Sequence, residues 1–127
     1  DTSGNGGDTF KLALFTSSAS LGAATTAYST SNEVSGTGYS AGGTALTNTG
    51  VGLTSTTAFT DFSDVSFTSA SFTANGCLIY NTTTAGGSGT TNAVCVVAFG
   101  GDKTVSSGTF TIQFPTNDSS SAIIRLT

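Results

Sequence analysis

The chain has 127 residues and a net charge of −4, carried by seven acidic and three basic side chains. It has no His, Met or Trp, whereas it contains 26 Thr, 19 Ser and 17 Gly. With so few basic residues, we expect neither nucleic acid nor membrane surfaces as partners, because both are bound mainly by clustered Lys and Arg.

Enough apolar side chains remain for a folded domain. Hydrophobic residues make up 36% of the chain, and nine Phe and three Tyr are spread along it, which disordered chains lack. The length suits one domain. The longest apolar run, residues 94–99, is far shorter than the ~20 residues of a membrane-spanning helix. No basic segment followed by an apolar stretch opens the chain, so we expect no signal peptide.

Apolar and polar residues alternate with the period of a β-strand, and no stretch of ten residues has helical spacing. In chain order, the alternation predicts strands at residues 9–16, 57–62, 65–67, 70–74, 77–81, 92–99, 108–114 and 122–126. Two of them present large apolar residues on one face: Phe10, Leu12 and Leu14 in the first, and Phe110, Ile112 and Phe114 in the strand at 108–114. The strands at 77–81 and 92–99 are the most hydrophobic, so we expect them to be central.

Turn signals separate these strands. Asn75-Gly76 is a typical hairpin pair, and residues 100–103 (Gly-Gly-Asp-Lys) predict a second turn. Residues 17–30 and 82–91 are small and polar, and we expect them to be irregular.

Short antiparallel strands at this spacing are typical of a sandwich or barrel. The sequence therefore predicts an all-β fold, a single-domain antiparallel β-sandwich of the jelly-roll or Ig-like type, over residues 9–127. Residues 1–8 are predicted to form a flexible or extended N-terminal arm.

Residues 36–43 contain four glycines and superficially resemble a phosphate-binding loop. They lack the Gly-Lys-Ser/Thr ending of such a loop and precede no helix. We expect a structural loop in which glycines adopt positive φ around an anchored Tyr39.

Asp61 and Asp64 form a candidate carboxylate pair. A glycosidase needs two carboxyl groups across a sugar-binding cleft, and calcium needs several oxygen ligands. No Trp is available to line a cleft, and the chain has no Asp-x-Asp-x-Asp run. We therefore expect a solvated turn at this pair, and no metal site.

Nucleophilic catalysis needs a base beside the Ser or Cys. Without His, the base would have to be Lys11, in a predicted strand, or Lys103, in a predicted turn, and both are more simply explained as solvated side chains. The sequence therefore predicts no catalytic residues, no cofactor and no enzymatic activity.

The two cysteines leave two alternatives open. If residues 77–81 and 92–99 form a hairpin centred on Gly86, Cys77 and Cys95 lie opposite each other, within reach of a disulfide. The alternative is a pair of buried free thiols that pack as small apolar side chains.

Five stretches, taken in order, resemble a family of small phage virion proteins over about residues 9–127. They are residues 11–16, 32–43, 74–81, 96–103, and 108–115 followed by 122–126. The resemblance implies a virion component and supplies no catalytic residues. The chain departs from the family pattern at residues 1–7, where the family has a short helical lead. It also departs at Cys77 and Cys95, where the family has small residues, and that paired change suits residues that face each other.

From the resemblance and the composition together, we expect a non-enzymatic capsid decoration or cement protein. Its partners would be the major capsid protein or other virion proteins, its copies would form a homo-oligomer, and it would lie on the outer surface of the particle. The alternatives are a tail or fibre component, and an extracellular adhesion or carbohydrate-binding module. The lack of Trp argues against sugar binding.

Overall fold

The computed structural model of the chain describes residues 7–83 and 91–127. This part of the chain contains seven β-strands and no helix. In chain order they are β1 (Phe10–Phe15), β2 (Thr44–Ala45), β3 (Asn48–Thr54), β4 (Thr57–Phe62), β5 (Val65–Asn81), β6 (Ala93–Ile112) and β7 (Ile124–Leu126).

The strands form two antiparallel sheets that pack against each other, and the predicted all-β sandwich is confirmed. The larger sheet has the strand order β2-β1-β5-β6, and the smaller sheet has the order β3-β4-β7. Contact between the sheets includes Phe62 of β4, whose ring meets that of Phe10 of β1 edge to face at 5.7 Å between centroids.

The predicted alternation of apolar residues builds the main core. Leu12 and Leu14 are fully buried there and Phe10 packs against them. Phe110, Ile112 and Phe114, which were predicted to share one face of the strand at 108–114, all pack against the same core.

The opposite face of β1 and β5 is also covered. Ala13 and Phe15 of β1 form a second buried cluster with Leu78 and Tyr80 of β5. Ala19, Leu21 and Tyr28, from the segment at 17–30, pack onto this cluster. That segment has neither strand nor helix, as predicted. Because it covers this face and the main core covers the other, β1 is buried on both faces.

The predicted turn at Asn75-Gly76 is wrong, because both residues lie inside the 17-residue strand β5. Asn75 donates a hydrogen bond from its side-chain nitrogen to Oδ1 of Asp102 on β6, at 2.8 Å. A Cβ on Gly76 would lie 2.9 Å from the carbonyl oxygen of Val97. The glycine therefore permits close approach of two strands and does not form a turn.

The predicted turn at residues 100–103 is also wrong. These residues lie within the 20-residue strand β6, so Lys103 is in a strand, opposite Ala74. Gly100 and Gly101 have φ of 73° and 142°, which irregular, bulged strand geometry requires and which glycine adopts without strain.

One of the two strands predicted to be central is not. Residues 77–81 lie in β5, which is flanked by β1 and β6, whereas residues 92–99 lie at the start of β6, at the edge of the larger sheet. The hydrophobicity of residues 92–99 did not predict a central position in the sheet, since much of this segment is only half-buried. Residues 84–90 of the predicted irregular tract, and residues 1–6 of the predicted arm, lie outside the described residues.

Candidate functional site

A polar cluster in the loop between β1 and β2 joins all three tyrosines of the chain to its single glutamate. The Glu33 carboxylate accepts hydrogen bonds from the hydroxyls of Tyr39 (2.6 Å) and Tyr28 (2.7 Å) and from the main-chain N–H of Gly42 (2.7 Å). Tyr80 donates to the carbonyl oxygen of Gly42 (2.7 Å) and stacks on Tyr28 at 4.5 Å between centroids.

The cluster completes the edge of β1. Beyond β2, the Tyr39 hydroxyl accepts the N–H of Leu14 at 2.9 Å, and Val34 donates its N–H to the Leu14 carbonyl at 2.9 Å. Gly38 and Gly42 have positive φ of 78° and 88°. The predicted structural loop around an anchored Tyr39 is thus confirmed.

Electrostatics in the cluster favour protonated tyrosines. Burial raises the pKa of Tyr39 well above its ordinary value, and its hydrogen bond to Glu33 adds to the shift. Burial and the bond to Glu33 also raise the pKa of Tyr28. A tyrosine that holds its proton this firmly is a poor general base. The cluster therefore acts as an anchor for the loop.

Asp61 and Asp64 do not converge on a shared site. Asp61 is fully buried, so the expectation of a solvated turn is wrong for this residue. Its Oδ1 accepts the N–H of Phe62 and its Oδ2 the N–H of Ile123. Asp64 is exposed in the turn, as predicted, and accepts the N–H of Phe114. Both carboxylates hold main-chain amides, and among the described residues no three His, Cys, Asp or Glu side chains are placed to bind a metal.

The cysteines are free thiols that lie diagonally across two strands. The hairpin register pairs Cys77 with Val97, and Cys95 with Ile79. Of the two alternatives, the structure has the free thiols, and its register differs by two residues from the one that would place the cysteines opposite each other. Burial raises the pKa of Cys77 to about 12, and the nearby Cys95 adds to the shift.

The smaller sheet exposes an apolar surface. Val51 and Leu53 of β3 are 81% and 71% exposed, and Leu126 of β7 is 71% exposed. The strand register places Leu53 opposite Ala58, and Ala58 opposite Leu126. Opposed residues in an antiparallel pair share one face. We call this surface the apolar face. Its apolar residues are Val51, Leu53, Ala58, Ile124 and Leu126, and Thr60 lies between Val51 and Ile124.

The reverse face of the same sheet differs. There the Phe59 ring lies over Gly52, where a Cβ would come within 2.3 Å of the ring. Arg125, opposite Phe59, points to this side and donates to the Ser120 carbonyl. Within residues 7–83 and 91–127, no charged side chain lies on the apolar face. Three of the four large apolar side chains exposed in the described residues are on it, and the fourth is Val94.

The sequence analysis did not identify Glu33 as the centre of a polar cluster, or Val51 and Leu53 as a surface. A lone acidic residue, and two apolar residues among glycines, are weak patterns. Only the alternation of Val51 and Leu53 around Gly52 could have indicated the strand.

A groove of about 770 Å³ lies over residues 19–32. It is lined mostly by small side chains. Of its aromatic residues, Tyr28 stacks on Tyr80 and meets the Phe15 ring edge to face. These two ring contacts hold Tyr28 against the larger sheet.

The described residues include no helix that is long and apolar enough to cross a membrane. Comparison with models of protein families, with curated proteins and with solved structures finds no match.

Proposed function

We propose that this chain is a non-enzymatic structural protein of a phage virion, which decorates or cements the capsid by binding the lattice of the major capsid protein. The observation that carries the proposal is the apolar face, because a solvent-exposed, uncharged row of large side chains is costly unless a partner covers it. The resemblance of the sequence to small phage virion proteins supports the choice of partner.

The chemistry of the chain suits contact through apolar and main-chain groups. With only ten charged side chains in 127 residues, it has little means of binding through ion pairs. Full burial of one Val or Leu side chain contributes about 1.5–3 kcal/mol. Burial of Val51, Leu53 and Leu126 would therefore supply a useful affinity per copy, and a lattice would present many equivalent sites.

The hydrogen bonds of the acidic side chains support a structural role. Glu33 and Asp61 both accept hydrogen bonds that hold loops and strand ends, and the tyrosines keep their protons. As a capsid decoration protein, the chain would lie on the outer surface of the particle.

Copy number in purified particles tests the proposal. We expect quantitative mass spectrometry to find hundreds of copies per particle, and labelled antibody to mark the head in electron micrographs. A few copies at the tail would favour the tail or fibre alternative and overturn capsid decoration. Absence from particles would overturn any virion role.

A double substitution tests whether the apolar face binds the capsid. Leu53→Ser with Leu126→Ser removes two exposed side chains of the apolar face, at positions where the fold loses little. We expect binding to particles that lack the chain to fall at least tenfold. Arg125→Ser is the matched control, since it changes the opposite face of the same sheet. Equal binding by the double variant and the wild type would contradict the assignment of the apolar face.

A further inference from the structure

Three of the four sheet edges carry features that prevent pairing with another strand. β2 has two residues, and β7 has three, including Arg125. β3 is interrupted by a bulge between Asn48 and Val51, with Gly50 at φ 104°. Short strands, charges and bulges are the usual means by which natural proteins protect a sheet edge.

The fourth edge, β6, is protected mainly along its second half. Gly100, Gly101 and Ser107 have positive φ, and Asp102 and Lys103 are exposed charges. The first half has one protective feature, a register shift at Val94, where Ile79 pairs with Cys95 and Tyr80 with Ala93. Residues 94–99 read Val-Cys-Val-Val-Ala-Phe, without charge, proline or glycine. We call residues 94–99 the open edge, and in the described part of the chain β5 is the sole strand beside them.

The chain itself limits the open edge at its start. Ala27 forms a bridge with Asn92, and the N–H of Ala93 donates to the Thr26 carbonyl at 3.0 Å. Gly100 ends the open edge at the other side. Between the two register shifts, residues 95–98 pair regularly with β5. At about 3.3 Å per residue they span about 13 Å, and no described segment pairs with the other side of their main chain.

Space for an incoming strand lies beside this edge. A cleft of about 370 Å³ separates residues 21–25 from residues 93–98. Its walls include Leu21, Val94 and Val96, with no charged side chain among them. These walls favour an uncharged, apolar occupant.

We infer that the open edge pairs antiparallel with the open edge of a second copy, which joins two four-stranded sheets into one of eight strands. A second copy supplies an uncharged strand of matching length, and the pairing brings no like charges together. The dimer is closed, because the far edge of each sheet is the two-residue strand β2. This inference does not depend on a virion role.

Sedimentation of the purified protein in reducing buffer tests the pairing. We expect a monomer–dimer equilibrium for the wild type, and at least a tenfold weaker dimer for Val94→Lys with Ala98→Lys. Both positions are exposed, so the monomer can hold the lysines in solvent, whereas the antiparallel dimer brings each lysine near one of its partner. The matched control is Ser17→Lys with Thr30→Lys, which adds the same charge at exposed loop positions and should dimerise as the wild type does.

Amide hydrogen exchange locates the contact. We expect protection of residues 94–99 to increase with protein concentration in the wild type and in the control, but not in the Val94→Lys, Ala98→Lys variant. A monomer at every concentration, open-ended aggregates in place of a dimer, or a dimer that survives the edge lysines would each overturn the inference. Unchanged circular dichroism and melting temperature confirm that the edge variant is folded.

Discussion

Both sheets contain strands with alternating apolar residues, but those that face away from the other sheet are mainly buried on the larger sheet and exposed on the smaller one. In the larger sheet, Leu78 on β5 is fully buried, because the segment at 17–30 packs over that face. In the smaller sheet, Leu53 on β3 remains 71% exposed, since no described segment lies over it. Alternation thus decides which side of a strand a residue occupies, while the covering segment decides whether that side is core or contact surface.

The largest contrast between the sheets should appear when the same substitution is made in both. Leu78→Ala leaves a cavity in a fully buried cluster, so we expect a loss of about 2–5 kcal/mol in the free energy of unfolding. Leu53→Ala removes an exposed side chain, so we expect a change within about 0.5 kcal/mol. Urea denaturation of both variants measures the difference. Similar losses at the two positions would mean that the apolar face is covered within the chain.

A smaller contrast should separate two tyrosines that bind the same carboxylate. Tyr39→Phe keeps the ring packing against Phe67 and Phe72 but removes the acceptor of the Leu14 N–H and a donor to Glu33. Leaving such groups unpaired costs about 1–3 kcal/mol.

Tyr28→Phe is the matched control for that substitution. Tyr28 donates to Glu33 from a less buried position than Tyr39, and the Leu14 N–H of β1 donates to Tyr39 and not to Tyr28. We expect it to lose less than about 1 kcal/mol, again measured by urea denaturation. A larger loss for Tyr28→Phe than for Tyr39→Phe would contradict the role of Tyr39 as the residue that completes the edge of β1.

The sequence was sufficient for the features that depend on local pattern. Alternation placed Leu12 and Leu14 in the core, and the glycines of residues 36–43 indicated a loop around Tyr39, because both depend on spacing along the chain. The partners of Tyr39 could not be predicted, since Leu14 and Glu33 reach it only after the sheet has formed.

The errors came from glycines whose role depends on a neighbouring strand. Asn75-Gly76 is a strong hairpin pattern, but here it lies within a strand. Position 76 requires glycine because the Val97 carbonyl oxygen would lie too close to a Cβ. Strand β3 was missed because its glycines lower the strand signal, although the Phe59 ring fills the space over Gly52. In both cases the glycine is needed because an atom of a neighbouring strand lies close to it. The local sequence pattern carries no information about that neighbour.

The smallest expected effect concerns the two thiols of the β5–β6 pair, which differ in burial. Cys77 is fully buried and Cys95 partly buried, and burial raises the pKa of both. For Cys77 the pKa rises from 9.0 to about 12, so the stability that its protonated thiol contributes is complete below pH 9 and is lost as the pH rises towards 12. We therefore expect iodoacetamide at pH 8 to label Cys95 slowly and Cys77 more slowly still, with both labelled rapidly in urea. Intact mass under non-reducing conditions should show two free thiols. A mass two daltons lower would mean that the strands shift into the opposed register and form a disulfide.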